Sequence, residues 1–276
     1  MDQLDFEYHR REYQALVGSE KLEADAYFLA QAQYVHSLVV HDALRDAQVS
    51  AVTIAPMLVN EQARYFINYG VGRRLRMIWV SYRGLLALVQ TDRKEPLSLD
   101  DVGAISRDLN VIYINIRGVL DNLAWCLLHE VASDQIRNLD PVKVGLFSPA
   151  LMNDSNLISL KVRLEEFSTW HRELKCRRDP AAHRIPLSVP PAILNPEEAS
   201  RYRELDTEIS AAMNEMDFDR ADKLGDQQAK IGKFISCFLH HPDEKITPIY
   251  PTVPQDIANL TRIMEHVRNF LQAARR

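Results

Sequence analysis

Hydrophobic residues along most of the chain recur at spacings of three and four. From Leu75 onward the apolar positions are 75, 78, 79, 82, 85, 86 and 89, the repeat expected for one face of an α-helix. Similar spacings occur between 27 and 39, 102 and 123, 157 and 170, and 257 and 271. The pattern predicts an all-α fold, a bundle of long antiparallel helices with a helical C-terminal extension.

Capping residues and glycines predict where several helices begin or change. Ser98 followed by Asp101 is typical of a capping box at the start of the helix that contains residues 102–123. Asn195 before Pro196 predicts another helix start, with asparagine as the cap and proline at the first position. The segment 70–72, Gly-Val-Gly, predicts a kink or a break. Further helices are expected over 19–47, 56–69 and 217–239, with a final helix after the loop 240–251.

Prolines divide the chain into three predicted parts. Pro186, Pro190 and Pro191 exclude a helix over 185–194 and favour an extended strap. We therefore predict a helical bundle over 1–184 that carries the chemical motif at its end, a proline-rich strap over 185–195, and C-terminal helices over 196–276 that pack on the bundle.

The charge balance restricts how the chain could bind a polyanion. The formal net charge is −5 and the sequence pI is about 6.0, so the surface as a whole does not attract nucleic acid. Any such site must be local. Basic residues do cluster, first at Arg73, Arg74 and Arg76 and again between 172 and 184.

Cysteine usage and the N-terminus favour a cytoplasmic protein. Cys126, Cys176 and Cys237 lack the paired spacing of a disulfide framework or a zinc knuckle. The acidic first residues do not resemble a signal peptide. The apolar stretches 75–89 and 111–128 contain charged residues, so we expect core helices and no membrane attachment.

The segment from Cys176 to Arg184, CRRDPAAHR, is the strongest candidate for chemistry. A separation of five residues would place Arg178 and His183 about 140° apart on a regular helix. We therefore expect Pro180 to break the helix, with Asp179 capping a new turn. Arg178 would then lie just outside a helix N-terminus, where free N–H groups favour an anion.

Such a site would have the groups that RNA cleavage by internal attack requires. His183 can exchange a proton near neutral pH, and Arg178 supplies positive charge that stabilises a developing phosphorane. This chemistry needs no metal and no cofactor. In the alternative interpretation Arg178 pairs with Asp179 or a helix end, and His183 is a structural residue at a helix boundary.

The motif resembles that of the HEPN superfamily, in which four to six residues separate an arginine from a histidine and Asn, Asp or His often follows the arginine. Arg178, Asp179 and His183 match this pattern, and the helices over 75–183 resemble the family's bundle. In the family the motif usually opens a sustained helix, whereas Pro186 here ends that helix after one or two turns.

The resemblance implies a metal-independent RNA endonuclease of a bacterial toxin or antiviral-defence type. It further implies a homodimer with two motifs in one cleft, and a possible antitoxin or defence-system partner. Arg178, His183 and Asp179 would be catalytic, while Lys175, Arg177 and Arg184 would bind RNA. Arg177 is also a second candidate for the motif arginine. The alternative is a catalytically inert helical module that binds RNA, a nucleotide or a protein.

Four other features favour structural interpretations. Polar side chains spaced by seven on one helix are expected to form a solvated shoulder or interhelical hydrogen bonds: Asp108, Asn115, Asn122 and His129. Arg117 and Asp121, four apart, should form a surface pair on that helix. The segment 240–244 lacks the spacing of a helix-borne zinc site, so we expect no metal. Cys176 lacks a third orienting group and is not expected to act as a nucleophile.

Overall fold

A computed structural model of the protein describes residues 2–17, 26–134, 139–241 and 246–274. Helices account for most of these residues, which confirms the predicted all-α bundle. They are α1 (Phe6–Val17), α2 (Ala26–Ile54), α3 (Glu61–Tyr65), α4 (Gly72–Leu88), α5 (Leu99–Glu130), α6 (Pro149–Met152), α7 (Ile158–Leu164), α8 (Ser168–His183), α9 (Pro196–Asn214), α10 (Phe218–Gln228) and α11 (Thr252–Ala273). Two short strands, β1 (Cys237–Phe238) and β2 (Thr247–Pro248), pair antiparallel.

The central element is α5, which packs against α3, α4, α8 and α11. Because neighbours surround it, α5 is buried on most of its circumference. It has the length and apolar content of a membrane span. However, 67% of its most apolar 18-residue segment is buried inside the bundle, as is typical of a core helix. The predicted inner face of α4 is correct, since Leu75, Ile78 and Tyr82 are fully buried. The face predicted between 27 and 39 is wrong, because Tyr34, Val35 and Leu38 of α2 are exposed.

The glycines at 70–72 do not interrupt the chain. Instead α3 continues through a π-helical stretch, Phe66–Val71, directly into α4. Gly70 faces α5, and a Cβ at this position would overlap the side chain of Asn122. The predicted kink or break is therefore replaced by a widened turn and a close helix contact.

Most predicted helix starts agree with the structure, while some predicted lengths do not. Ser98 caps α5, because its side chain accepts a hydrogen bond from the Asp101 N–H at 3.1 Å. Asn195 begins α9 with a complete capping box. The helix expected over 19–47 instead continues to Ile54, and its predicted start at 19–25 lies outside the described residues. The helix expected over 217–239 is confined to α10, and β1 follows.

The chain after α8 contains a non-helical segment, two helices that pack mainly on each other, and a final helix that packs on the bundle. The segment between α8 and α9 forms no helix and makes β-bridges from Ser188 to Leu239 and from Ile193 to Lys233. Helix α11 packs on α2, α5 and α7. Helices α9 and α10 pack mainly on each other around a small core: Leu205, Ala212, Ala221 and Leu224.

Candidate functional site

The proline of the motif does not break its helix. Helix α8 runs without interruption to His183 and contains Pro180, whose carbonyl accepts a hydrogen bond from the Arg184 N–H at 2.8 Å. A proline this close to the end removes one helical hydrogen bond without unravelling several turns. The expected helix N-terminus beside Arg178 is therefore wrong. Arg178 lies near a helix C-terminus, which favours cations, so the backbone there offers no N–H cradle for an anion.

Arg178 and His183 are nevertheless close to each other. Nη1 of Arg178 lies 3.4 Å from Nε2 of His183 and donates to Oδ1 of Asp179 at 3.1 Å. A guanidinium has donors only, so Nε2 of His183 is the acceptor in this contact. The Arg178 side chain is 24% exposed and His183 is exposed. The imidazole can therefore be reached by a substrate while the arginine is held in place.

Helix α5 contributes a carboxylate to the same place. Asp121 lies 3.2 Å from Nη2 of Arg117, which confirms the predicted pair, but the pair faces α8 instead of open solvent. Burial raises the pKa of Asp121, and the positive charges of Arg117, Arg178 and Arg74 oppose that shift. Three helices thus direct arginines toward one carboxylate.

A second histidine of α8 completes this arrangement. His171 contacts Nη1 of Arg117 through its Nε2 atom and stacks on the ring of Phe147, with centroids 4.4 Å apart. Burial lowers the pKa of His171 to about 4, and the charges of Arg117 and Lys175 act in the same direction. His171 is therefore neutral near pH 7, and its ring nitrogen can orient Arg117.

We refer to these residues together as the α5–α8 polar cluster. Its members are Arg117 and Asp121 on α5, and His171, Arg178, Asp179 and His183 on α8. Arg74 of α4 borders the cluster, and its Nη1 donates to Oδ1 of Asn115 at 3.0 Å. Within the described chain, no group of three or more His, Cys, Asp and Glu side chains could hold a metal ion.

Arg177 belongs to a different environment from its neighbour Arg178. Its Nη2 donates to Oδ1 of Asp256 at 2.8 Å, and this carboxylate also accepts from Trp170 Nε1 and the Tyr113 hydroxyl. Burial raises the pKa of Asp256, and Arg177 and the two other donors oppose the shift. Arg177 is thus the counterion of a buried carboxylate of α11, and its predicted contact with RNA would require it to leave that partner.

The other predicted basic residues lie at the surface. Lys175 and Arg184 are exposed, and neither forms an ion pair with the residues that the structure describes. The charge of Lys175 reaches His171, which places it beside the polar cluster. Arg184 follows the last residue of α8 and is next to His183. Both side chains are free to bind an anionic substrate.

The polar side chains spaced by seven along α5 contact neighbouring helical segments in part, as predicted. Asn115 accepts the hydrogen bond from Arg74 of α4, and Asn122 packs against Gly70. His129 stacks on Phe66 with centroids 5.7 Å apart. These side chains hold α4 and the π-helical stretch before it against α5, and they bring Arg74 to the edge of the cluster.

Sequence reasoning assigned Arg117 and Asp121 only to a surface pair and did not identify His171 or Arg74 as neighbours of the motif. One signal was available. Arg117 and Asp121 interrupt an otherwise apolar helix, and a charged pair on a core helix usually has partners on a neighbouring element. No comparable signal marked His171, because Arg117, its partner in the cluster, lies 54 positions away along the chain.

Comparison with known proteins adds no relative to this description. No protein-family model, curated protein or solved structure matches the chain. Support for a function therefore comes from the polar cluster and from the residues that surround it.

Proposed function

We propose that this protein is a metal-independent RNA endonuclease of the HEPN type, with a role in bacterial toxin or defence systems. The observation that supports it most is the 3.4 Å approach of Arg178 Nη1 to Nε2 of the exposed His183. A guanidinium binds phosphate oxygens through several donors, and an adjacent imidazole can move a proton. Simple phosphate binding would need the arginine but not the histidine.

In the proposed reaction the RNA supplies its own nucleophile. Arg178 turns its donors from His183 to the nonbridging oxygens, and Nε2 of His183, released from that contact, takes the proton of a 2′-hydroxyl as the 2′-oxygen bonds to phosphorus. The bond from phosphorus to the 5′-oxygen breaks, and that oxygen takes up a proton. The products are a 2′,3′-cyclic phosphate and a 5′-hydroxyl. Asp179, which accepts from Arg178, positions the guanidinium.

The reaction requires a base for one oxygen and an acid for the other. A single His183 cannot do both within one step, so we propose a homodimer in which a second copy supplies the second histidine. Two motifs facing each other would also double the positive charge around the phosphate. The exposed C-terminal end of α8 leaves His183 accessible to such a partner.

The decisive experiment is cleavage of labelled single-stranded RNA in EDTA, with analysis of the product ends. We expect cleavage to persist in the chelator, to leave 2′,3′-cyclic phosphates, and to spare DNA, which lacks the 2′-hydroxyl. His183→Ala should be inactive. The control is Arg172→Ala, since Arg172 is an exposed α8 residue whose hydrogen bond among the described residues is to Thr169. Products with 3′-hydroxyl ends, or an active His183→Ala protein, would contradict the mechanism.

A second candidate is a catalytically inert binding module. It is favoured by the contact between Arg178 and Asp179, because a paired guanidinium has less charge available to stabilise a transition state. In this case the protein would bind RNA, and neither wild type nor variants would cut it. The same assay, run beside a binding measurement, separates the two functions.

A further inference from the structure

The outward face of α4 carries three arginines that lie on aromatic rings. Arg73 lies 4.8 Å from the ring centre of Tyr69, and Arg76 and Arg83 lie 4.6 and 4.7 Å from that of Trp79. All three arginines are exposed. We call this surface, formed by Tyr69, Arg73, Arg76, Trp79 and Arg83, the α4 basic–aromatic face.

The charge of this face is not neutralised by the part of the protein that the structure describes. Arg73, Arg76 and Arg83 have no carboxylate within 4.0 Å among those residues. Arg172 and Arg184 have none among the described residues either, but several other exposed arginines do have such partners: Arg10, Arg45, Arg201 and Arg220. In a chain of net charge −5, three unpaired guanidiniums on one helix face form a local site for a polyanion.

The aromatic rings restrict what kind of polyanion fits. A guanidinium held on a ring has a fixed plane, on which a nucleobase can stack while the Nη groups donate to phosphates. Stacking of this kind requires bases that are not already paired. The rise from Arg73 to Arg83 is about 15 Å along the helix, enough for a few nucleotides of an extended strand. Single strands therefore suit this face better than duplexes or lipid headgroups.

Arg74 does not belong to this face, because it lies on the side of α4 that packs against α5. It follows Arg73 in the chain but turns inward, and its guanidinium lies over Gly118, where any Cβ would overlap it. From there it donates to Asn115, and its charge reaches Asp121. The α4 basic–aromatic face is therefore separate from the polar cluster, and its three arginines can bind a strand without Arg178 or His183.

We infer that the α4 basic–aromatic face binds single-stranded RNA. This inference rests on the proposed function, because that function names RNA as the substrate. It adds that the substrate is single-stranded and that its binding depends on residues outside the catalytic motif.

The test measures binding without cleavage. The probe is a fluorescent single strand of 2′-O-methyl RNA, which cannot be cut because it has no free 2′-hydroxyl, and Kd is read by anisotropy. Replacing all three ring-bound arginines by glutamine should weaken binding at least roughly tenfold and lower the salt dependence of log K by about 2. In the control, three arginines that have carboxylate partners are replaced by glutamine: Arg45, Arg201 and Arg220. This variant changes the net charge by the same amount but at other sites, so its Kd should change less than about twofold.

The outcomes separate this inference from the proposed function. Equal weakening of binding in both triple variants would overturn the inference. Two further probes are a duplex of the same 2′-O-methyl RNA and vesicles of phosphatidylserine. Tighter binding of either one than of the single strand would also overturn it. Cleavage by a wild type that does not bind the probe would overturn it too, while the proposed function stands. Binding with the expected losses but no cleavage of ordinary RNA would support the α4 site and reject the nuclease. Matching melting temperatures of the two triple variants exclude misfolding as the cause.

Discussion

Nη1 of Arg178 lies 3.4 Å from Nε2 of His183, although the two residues are five positions apart on one uninterrupted helix. That separation corresponds to about 140° around a regular helix, so only a long side chain can span it. The neighbouring carboxylate of Asp179 accepts from the same guanidinium nitrogen and holds it there. The pair is therefore assembled in the folded chain before any substrate binds.

Arg178→Ala and His183→Ala should each reduce RNA cleavage by at least about 100-fold, because each removes a group that acts on the reacting phosphodiester. The free energy of unfolding should change by less than about 1 kcal/mol, since neither side chain is part of the apolar core. Cleavage rates and urea unfolding measured on the same preparations test both statements. If His183→Ala instead unfolds the chain, the histidine has a structural role.

Arg177→Ala should behave in the opposite way from Arg178→Ala, although the two residues are adjacent. It leaves the buried carboxylate of Asp256 without its cation, and breaking a buried pair typically costs about 3 to 5 kcal/mol. Urea unfolding of the two variants gives the comparison directly. Equal stabilities would mean that the Asp256 contact contributes nothing, and a loss of cleavage in a fully stable Arg177→Ala protein would restore Arg177 as a site residue.

Leu164→Ala should destabilise the protein by about 2 to 5 kcal/mol, because Leu164 is 1% exposed and its truncation leaves a cavity under α7. The matched control is Val162→Ala on the same helix, where the side chain is 64% exposed and the expected loss is below about 1 kcal/mol. Thermal melts of both variants check this. Cleavage per folded molecule should remain unchanged in Leu164→Ala, since the residue does not belong to the polar cluster.

Gly70→Ala should destabilise the contact between the π-helical stretch and α5 by about 1 to 3 kcal/mol, because the new Cβ overlaps Asn122. Combining it with Asn122→Ala should recover part of the loss, which a double-mutant cycle measures as a coupling energy. Gly103→Ala is the control: a Cβ there meets no atom within 4 Å, and alanine should stabilise α5 by roughly 0.5 to 1 kcal/mol. Additive losses at Gly70 and Asn122 would contradict the close packing.

Acid should destabilise the protein partly through His36 and His171. Burial lowers the pKa of each to about 4, from an ordinary value of about 6.5, so between these pH values the unfolded chain binds more protons than the folded one. Their contribution to stability is complete above pH 6.5 and declines as the pH falls toward 4. His36→Gln should make the free energy of unfolding depend less steeply on pH, with a slope smaller by the equivalent of up to one proton. Urea unfolding at pH 7.5, 5.5 and 4.5 measures this slope. An unchanged slope would show that His36 titrates normally.

The periodicity of the sequence was enough to predict α4, α5 and α11, because a helix that buries one face must repeat its apolar residues every three or four positions. Capping residues located the starts of α5 and α9 for an equally local reason: side chains at 98 and 195 satisfy N–H groups only two or three residues away. In these elements the forces that decide the structure act between near neighbours in the chain.

Tertiary structure decided the features that depend on distant neighbours. Whether Pro180 breaks α8 depends on how firmly the rest of the helix is packed, and only the folded α8 shows that the helix continues to His183. Which of two adjacent arginines enters the core depends on the rotation of α8 against its neighbours, so Arg177 meets Asp256 on α11 while Arg178 faces Asp121 on α5. The sequence determined the residue types available to a site, but packing between segments far apart in the chain determined which of them meet.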